Sequence, residues 1–372
     1  LGIPSTTQKK DILNFLKNKE KKVIFCTYQS SKILVDLFKK EKIIPDFVIY
    51  DEAHRTVGTK GNEFSVSVKS NFKSKKKLFM TATPVIFNSS TKVKMSSLGY
   101  ETLSMDDEEI YGKTFHHLGF GKAISEKILS DYQLKILEVD SKDVKNILYN
   151  YPELNILKKK WPTNNIASII ALKIASKELK LNRFISFHNS IHAAKKFSEN
   201  FNLVANDIGF KINNFVLAGH LNGSQKSYER LQRLNDLNNL KNNEYGFISN
   251  SRCLAEGVDV PELDGVLITE PRHSQTDIIQ IVGRAMRKKK NKKKKGYILV
   301  PIVIDRESDF EEQLENDAFK NTINVIRSLI SHDDRLNLYI KKLILKKGRS
   351  GFKGKDLEPY ISISKTGKFP TK

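Results

Sequence analysis

The stretch FVIYDEAH, Phe47 to His54, places two adjacent carboxylates directly behind a short apolar run. The run reads as a buried strand, rich in β-branched and aromatic residues. A strand interior tolerates no unpaired charge, so Asp51 and Glu52 belong at its C-terminal tip. That tip is where open α/β sheets bind ligands. Successive strand residues point in opposite directions, so the two carboxylates can take different tasks. One can hold Mg²⁺, largely through water, while the other orients a nucleophilic water. For an isolated Asp-Glu pair a solvated turn is the better account, so the assignment depends on its surroundings.

On either side of this stretch, Lys22 to Tyr28 (KVIFCTY) and Lys77 to Thr83 (KLFMTAT) also read as buried strands. Between the first two, Ile33, Leu34, Leu37 and Phe38 fall on one helical face. This strand-helix-strand rhythm predicts a parallel sheet. A second series follows: Asn182 to Phe187, Asn213 to Ala218, Tyr245 to Ser249, Gly265 to Thr269 and Gly296 to Ile302. Amphipathic segments separate its members, and Ser224 is a plausible N-cap for one of them. Asp140 to Thr163, with charged clusters, a Tyr-Pro pair and a Trp-Pro pair, is the expected linker. The expected division is 1–139, linker 140–163, second domain 164–305, then a helical extension and basic tail over 306–372. The span from Asn164 to Asp305 is expected to fold alone.

The chain has 372 residues, enough for two domains with separate cores. Hydrophobic residues are 39% and charged residues 28%, a globular composition. No run approaches the ~18 uninterrupted apolar residues of a membrane span. The net charge of +22 favours a polyanionic partner such as nucleic acid, although a lysine-rich composition has the same effect. Cys26 and Cys253 sit in or beside apolar runs and read as small core residues, with no disulfide. The expected compartment is reducing and intracellular: cytoplasm, nucleus or viral factory. The eight histidines have no metal-ligand spacing.

Two further constellations carry chemistry. In LFMTATP, Thr81 and Thr83 share one face of a strand end that Pro84 closes. In QIVGRAMRK, Gln280, Gly283, Arg284 and Arg287 recur at helical spacing and line one face. Arg suits a phosphoryl-transfer site because its planar fork stays charged. The adjoining run Lys288 to Lys295 (KKKNKKKK) is either a solvated loop or a phosphate contact.

Taken together and in this order, DEAH, TAT and QxxGRxxR resemble motifs II, III and VI of superfamily 2 helicases of the DExH type, close to the type III restriction and phage or viral group. Thr27-Tyr28-Gln29-Ser30 resembles motif Ib, Phe187-His188-Asn189-Ser190 motif IV, and Ser251 to Pro261 motif V. Tyr111-Gly112 and the passage to Tyr132 resemble the family's crossover segment. The resemblance spans roughly residues 5 to 305.

The resemblance implies two RecA-like parallel-sheet domains in tandem, the first incomplete, with ATP held between them. It implies Asp51 as Mg²⁺ ligand and Glu52 as activator of water. Gln280 and His54 would link the domains across the nucleotide. Arg284 and Arg287 would act as arginine fingers, and Gly257, Asp259 and Gly283 would line the nucleotide. Thr27, Tyr28, Gln29, His188, Asn189, Ser190 and Ser251 would touch nucleic acid, DNA being favoured over RNA. Thr81 and Thr83 would couple the two sites. The implied activity is ATP-driven helicase or translocase action; a nucleic-acid-binding module without ATP turnover is the alternative. One departure stands out: no GxxxxGK[ST] phosphate loop precedes Cys26. Gly112-Lys113-Thr114 follows an acidic stretch, with Asp107 where the first glycine is needed. The expectation is an N-terminally truncated chain that does not itself turn over ATP.

Overall fold

The computed structural model describes residues 5–17, 20–59, 63–68, 72–100, 102–151, 161–204, 215–241, 244–251, 263–269, 274–287, 295–305, 307, 317–350 and 360–365. The chain divides into two compact units, Leu1–His117 and Leu118–Lys372.

In the first unit, helix Ser31–Lys40 buries Val35, Leu37 and Phe38. It leads into β1 (Phe47–Tyr50), and a separate two-stranded pair sets β2 (Gly58–Thr59) antiparallel to β4 (Thr102–Leu103). The partner of β1 is β3 (Lys76–Phe79), parallel, with Tyr50 opposite Phe79. Lys22 to Tyr28 is not the strand its apolar run predicts. Its residues up to Thr27 are irregular, Tyr28 opens a 3₁₀ turn, Val23 and Phe25 are 73% and 83% exposed, and Cys26 is exposed rather than in a core. Apolar side chains do not make a strand without a ladder partner for the backbone, and among the described residues none pairs with this segment.

The second unit is one parallel sheet of seven strands. They are β5 (Tyr132–Asp140), β6 (Arg183–Phe187), β7 (Phe215–Leu221), β8 (Tyr245–Asn250), β9 (Gly265–Ile268), β10 (Gly296–Ile304) and β11 (Ile361–Lys365), in the order β11-β5-β10-β9-β6-β8-β7. Helices cover both faces, so the strands read as continuous apolar runs. Neighbouring residues feed opposite cores: Ile185, Ile248 and Val266 pack on one side, and Phe184, Phe247 and Leu267 on the other.

Two strands of this sheet lie outside the span expected for the second domain. β5 pairs with β10 over nine residues, from Tyr132 opposite Gly296 to Asp140 opposite Ile304, and with β11 on its other side. The expected linker is likewise part of this unit: helix Ser141–Asn150 buries Val144 in the same core as helix Trp161–Glu178. The C-terminal helices Asp317–His332 and Asp334–Ser350 are not an appendage either, since Val325, Leu329 and Leu336 are fully buried against the sheet. The boundary therefore falls near residue 118, not 140. Ser224 does not cap its helix, which starts at Ser227; its hydroxyl donates instead to Asn222. Among the described residues no helix is long and apolar enough to cross a membrane.

Candidate functional site

In the first unit the chemistry gathers at the tip of β1. Asp51 is exposed, and its Oδ1 accepts the Glu52 backbone N–H at 3.0 Å. Glu52 adopts the left-handed conformation, φ 49° and ψ 47°, and a 3₁₀ turn, Ala53–Thr56, follows. A non-glycine residue pays roughly 1–2 kcal/mol for that conformation, and such residues cluster where a side chain must be aimed. The turn is tied to the end of β3 by Met80 N–H to Tyr50 O and Ala53 N–H to Met80 O, both 2.9 Å.

His54 Nδ1 lies 3.0 Å from Thr81 Oγ1 and 3.4 Å from Glu52 Oε2. Thr81 Oγ1 also accepts the Thr83 backbone N–H at 3.1 Å. Glu52 and the TAT turn are thus joined through one imidazole. Below them the Tyr50 and Phe79 rings stack at 4.6 Å, and Phe79 meets Tyr111 edge-on at 5.0 Å. Each such pair adds about 0.5–1.5 kcal/mol beyond its buried area. Thr56 donates to Ala53 O at 2.7 Å, and its hydroxyl lies 2.9 Å from that of Tyr111.

The residues read as a nucleic-acid contact in this unit make the following local contacts. Thr27 caps the 3₁₀ turn Tyr28–Ser30. Tyr28 donates its hydroxyl to Asp51 O at 2.7 Å, and burial followed by the nearby Asp51 charge pushes its pKa up to about 12. It therefore stays a neutral donor that braces the carboxylate turn. Gln29 is exposed.

In the second unit the C-terminal ends of β6, β7, β8 and β9 form a polar edge. His188 does not reach the surface, contrary to its expected role. It is 1% exposed, because its N–H extends the ladder to Asn250 O and turns the ring inward. There its two nitrogens lie 3.0 and 3.1 Å from the hydroxyls of Ser186 and Thr269. Ser251 is buried too, at 3%. Asn189 and Ser190 are exposed, and Ser190 caps helix Ile191–Val204 through the Ala193 N–H. The turn Asn222 to Gln225 closes the same edge: Asn222 Oδ1 accepts from Ser224, and Gln225 Oε1 accepts the Asn222 N–H. Neither of these two residues was singled out by spacing, since a turn of Asn, Gly, Ser and Gln looks like any loop.

Helix Gln275–Ala285 carries QIVGRAMR and is capped by Ser274. Its start and end have different surroundings. Arg284 is buried at 8%, whereas Arg287 is exposed just beyond the helix. The two amide heavy atoms of Gln280 are buried, and among the described residues neither has a hydrogen-bond partner. A Cβ added at Gly283 meets nothing within 4 Å, so this face is open beside Gln280. The helix end is fixed by a close approach: a Cβ on Gly296 would lie 2.1 Å from Ala285 O. Gly257 and Asp259, and all of the lysine run before Lys295, lie outside the described residues.

Gly112-Lys113-Thr114 is no phosphate loop. It follows the four-residue helix Glu108–Tyr111 and leaves as irregular, exposed chain.

Residues 3–86 match the family described as "Type III restriction enzyme, res subunit", and residues 165–289 match "Helicase conserved C-terminal domain". Over almost its whole length, 99%, the chain superposes on the ATP-dependent Type ISP restriction-modification enzyme LlaBIII bound to DNA, with TM-score 0.78 and 33% identity. These matches and the superposition on LlaBIII support a superfamily 2 helicase of the type III restriction-like group. The chain comprises two tandem RecA-like domains. A nuclease-deletion mutant of the Type ISP enzyme LlaGI with a DNA substrate mimic is also similar, at TM-score 0.58 and 28% identity over 92% of this chain. A protein of African swine fever virus named "Probable helicase A859L" is 28% identical over 90% of the chain. The chain spans about a third of that relative, 34%, and covers 25% and 22% of the two restriction enzymes.

The donor set of the first domain suits a hydrated Mg²⁺: a hard, exposed carboxylate at Asp51, held by the backbone of the next residue. Among the described residues there is no group of three or more His, Cys, Asp or Glu that could hold a metal ion.

Proposed function

We propose that the protein is an ATP-dependent helicase or translocase acting on nucleic acid, DNA in preference to RNA. It would hydrolyse ATP where its two RecA-like domains meet. The observation that carries this reading is the Glu52–His54–Thr81 contact at the tip of β1, a carboxylate coupled to the turn after the neighbouring strand. Asp51 would hold Mg²⁺, which supplies charge neutralisation at the phosphates. Glu52 orients the attacking water, its direction fixed by the left-handed backbone. Arg287 reaches toward the charge that develops on the transferred phosphoryl group, a role for which an exposed guanidinium is suited. The buried, unpartnered amide of Gln280 beside the open face at Gly283 gives a ready partner for a nucleotide or for the first domain. Asn189 and the Asn222 to Gln225 turn offer polar groups to a phosphate backbone, read without base preference. The preference for DNA rests on LlaBIII and LlaGI, which were solved with DNA or its mimic.

The test is steady-state ATP hydrolysis by the full-length protein with double-stranded DNA, single-stranded DNA and RNA as activators, beside strand displacement. Stimulation by DNA above that by RNA is expected. Nucleic-acid binding without any turnover would establish the binding-module alternative instead.

A further inference from the structure

The segment that leaves the first unit is fastened at each end to a different catalytic motif. At its start, Tyr111 is 8% exposed, its ring packs on Phe79, and its hydroxyl meets that of Thr56 inside the DEAH turn. Thr56 passes the contact on by donating to Ala53 O. Immediately after Tyr111 the chain turns at Gly112, φ 73°, a conformation that favours glycine. It then runs as irregular chain to Gly119, with Gly112 to Leu118 exposed, and the division between the units falls inside this run.

At its far end the same segment grips the helix that carries the arginines. Leu129 forms an antiparallel bridge with Arg287, and Ser130 N–H donates to Met286 O at 2.7 Å. Asp131 O accepts the Gly296 N–H at 2.8 Å, and its carboxylate lies 3.2 Å from the Arg335 guanidinium. Asp333, 1% exposed, completes that ion pair at 2.9 Å. This end is therefore anchored to the sheet and to the C-terminal helices, and it cannot slip without pulling on the backbone of Arg287.

We propose that the crossover is a coupling strut, in which Tyr111 and Ser130 are positioning residues that keep the DEAH turn and the Arg287 helix end in step. The proposal rests on the ATPase reading. A motion that nucleic acid imposes on one domain would reach the other domain's motif through backbone contacts at both ends, without a ligand contact. Exposed, irregular chain between two fixed ends suits this, provided its length is set.

The experiment uses the full-length protein with three glycines inserted between Lys113 and Thr114, remote from both anchors, and separately Tyr111→Phe. Basal and DNA-stimulated ATP hydrolysis, KM for ATP and Tm are measured. The insertion is expected to lower the ratio of stimulated to basal turnover about tenfold, with basal rate and Tm unchanged. Tyr111→Phe is expected to lower stimulated kcat about tenfold at unchanged KM, the loss of one hydrogen bond in the activated state. Unchanged stimulation in the insertion variant overturns the proposal. So does a loss of stimulation that merely tracks a fall in Tm in both variants, since that is a structural role. Wild-type protein that shows no stimulation by nucleic acid refutes the ATPase reading itself.

Discussion

Thr81 Oγ1 stands 3.0 Å from His54 Nδ1 and receives the N–H of Thr83. The TAT turn is thus a hydrogen-bonded extension of the carboxylate turn, and Thr81 is the joint between them. Thr81→Val keeps the volume and removes the hydroxyl. It is expected to leave ATP turnover within about threefold but to reduce strand displacement or translocation by at least tenfold, since one hydrogen bond of about 1 kcal/mol or more is lost from the coupling path. Parallel loss of both activities would place Thr81 in catalysis rather than in coupling.

Glu52→Gln preserves shape and removes the charge that orients water. Nucleotide binding should persist while turnover falls by several orders of magnitude, because positioning is most of what the protein contributes to this chemistry. Turnover by E52Q at the wild-type rate would show that the β1 tip is a solvated turn.

How much of this was legible depended on what each residue needs around it. YGFISN and GVLI declared themselves because a parallel strand covered on both faces is apolar throughout. β5 was hidden by Lys135 and Glu138, which interrupt its apolar alternation at half-buried positions. Lys22 to Tyr28 looked apolar enough to be a strand, yet composition says nothing about whether a ladder partner exists. At the site, Asp51 and Glu52 were readable because paired charges belong at a strand tip, although β1 is not the buried strand its apolar run predicts: Phe47 and Ile49 are each 53% exposed. His188 and Ser251 are buried where a surface contact is expected: the backbone N–H of each extends the ladder, to Asn250 O and to Leu221 O, a register that spacing does not reveal. Tyr111 was visible as a family signature but not as a partner of Thr56, which lies 55 residues away in sequence.

The two arginines of QIVGRAMR should separate. Arg287 is exposed, so Arg287→Ala should lower kcat by roughly 10³-fold, as for an arginine finger, with Tm unchanged. Arg284 is 8% exposed, so Arg284→Ala should also lower Tm. Equal, purely catalytic defects in both variants would contradict the difference in burial.

Two glycines give a sharper pair. Gly296→Ala drives a Cβ into the Ala285 carbonyl. Backbone cannot yield as a flexible side chain does, so a cost of about 2–3 kcal/mol is expected, or roughly 5–10 °C in Tm for a unit of this size. Gly283→Ala has open space and should gain about 0.5–1 kcal/mol of helix stability. It should nevertheless lose ATP turnover if a nucleotide or the first domain closes on that face. A G283A protein that is both stabilised and fully active would leave the open face without a ligand.

The last prediction concerns where the second domain begins. A fragment of residues 164–305 contains the strands that apolar patterning finds, but it lacks β5. That strand pairs with β10 across nine residues and buries Leu134, Leu137 and Val139 completely. Removing it strips a central strand of its neighbour and opens both cores, since Leu134 lies in one and Leu137 and Val139 in the other. The fragment also lacks Asp131, Asp333 and Arg335, whose ion pairs anchor the C-terminal helices, and those helices themselves. At roughly 1.5–3 kcal/mol for each fully buried Leu or Val side chain, the loss of these three is comparable to the 5–15 kcal/mol by which domains are stable. A fragment of residues 118–372 is therefore expected to melt cooperatively by circular dichroism and to resist limited proteolysis, while residues 164–305 should be degraded without a folded core. Cooperative melting of the shorter fragment would mean that β5 is an accessory strand and that the boundary near residue 118 has no energetic basis.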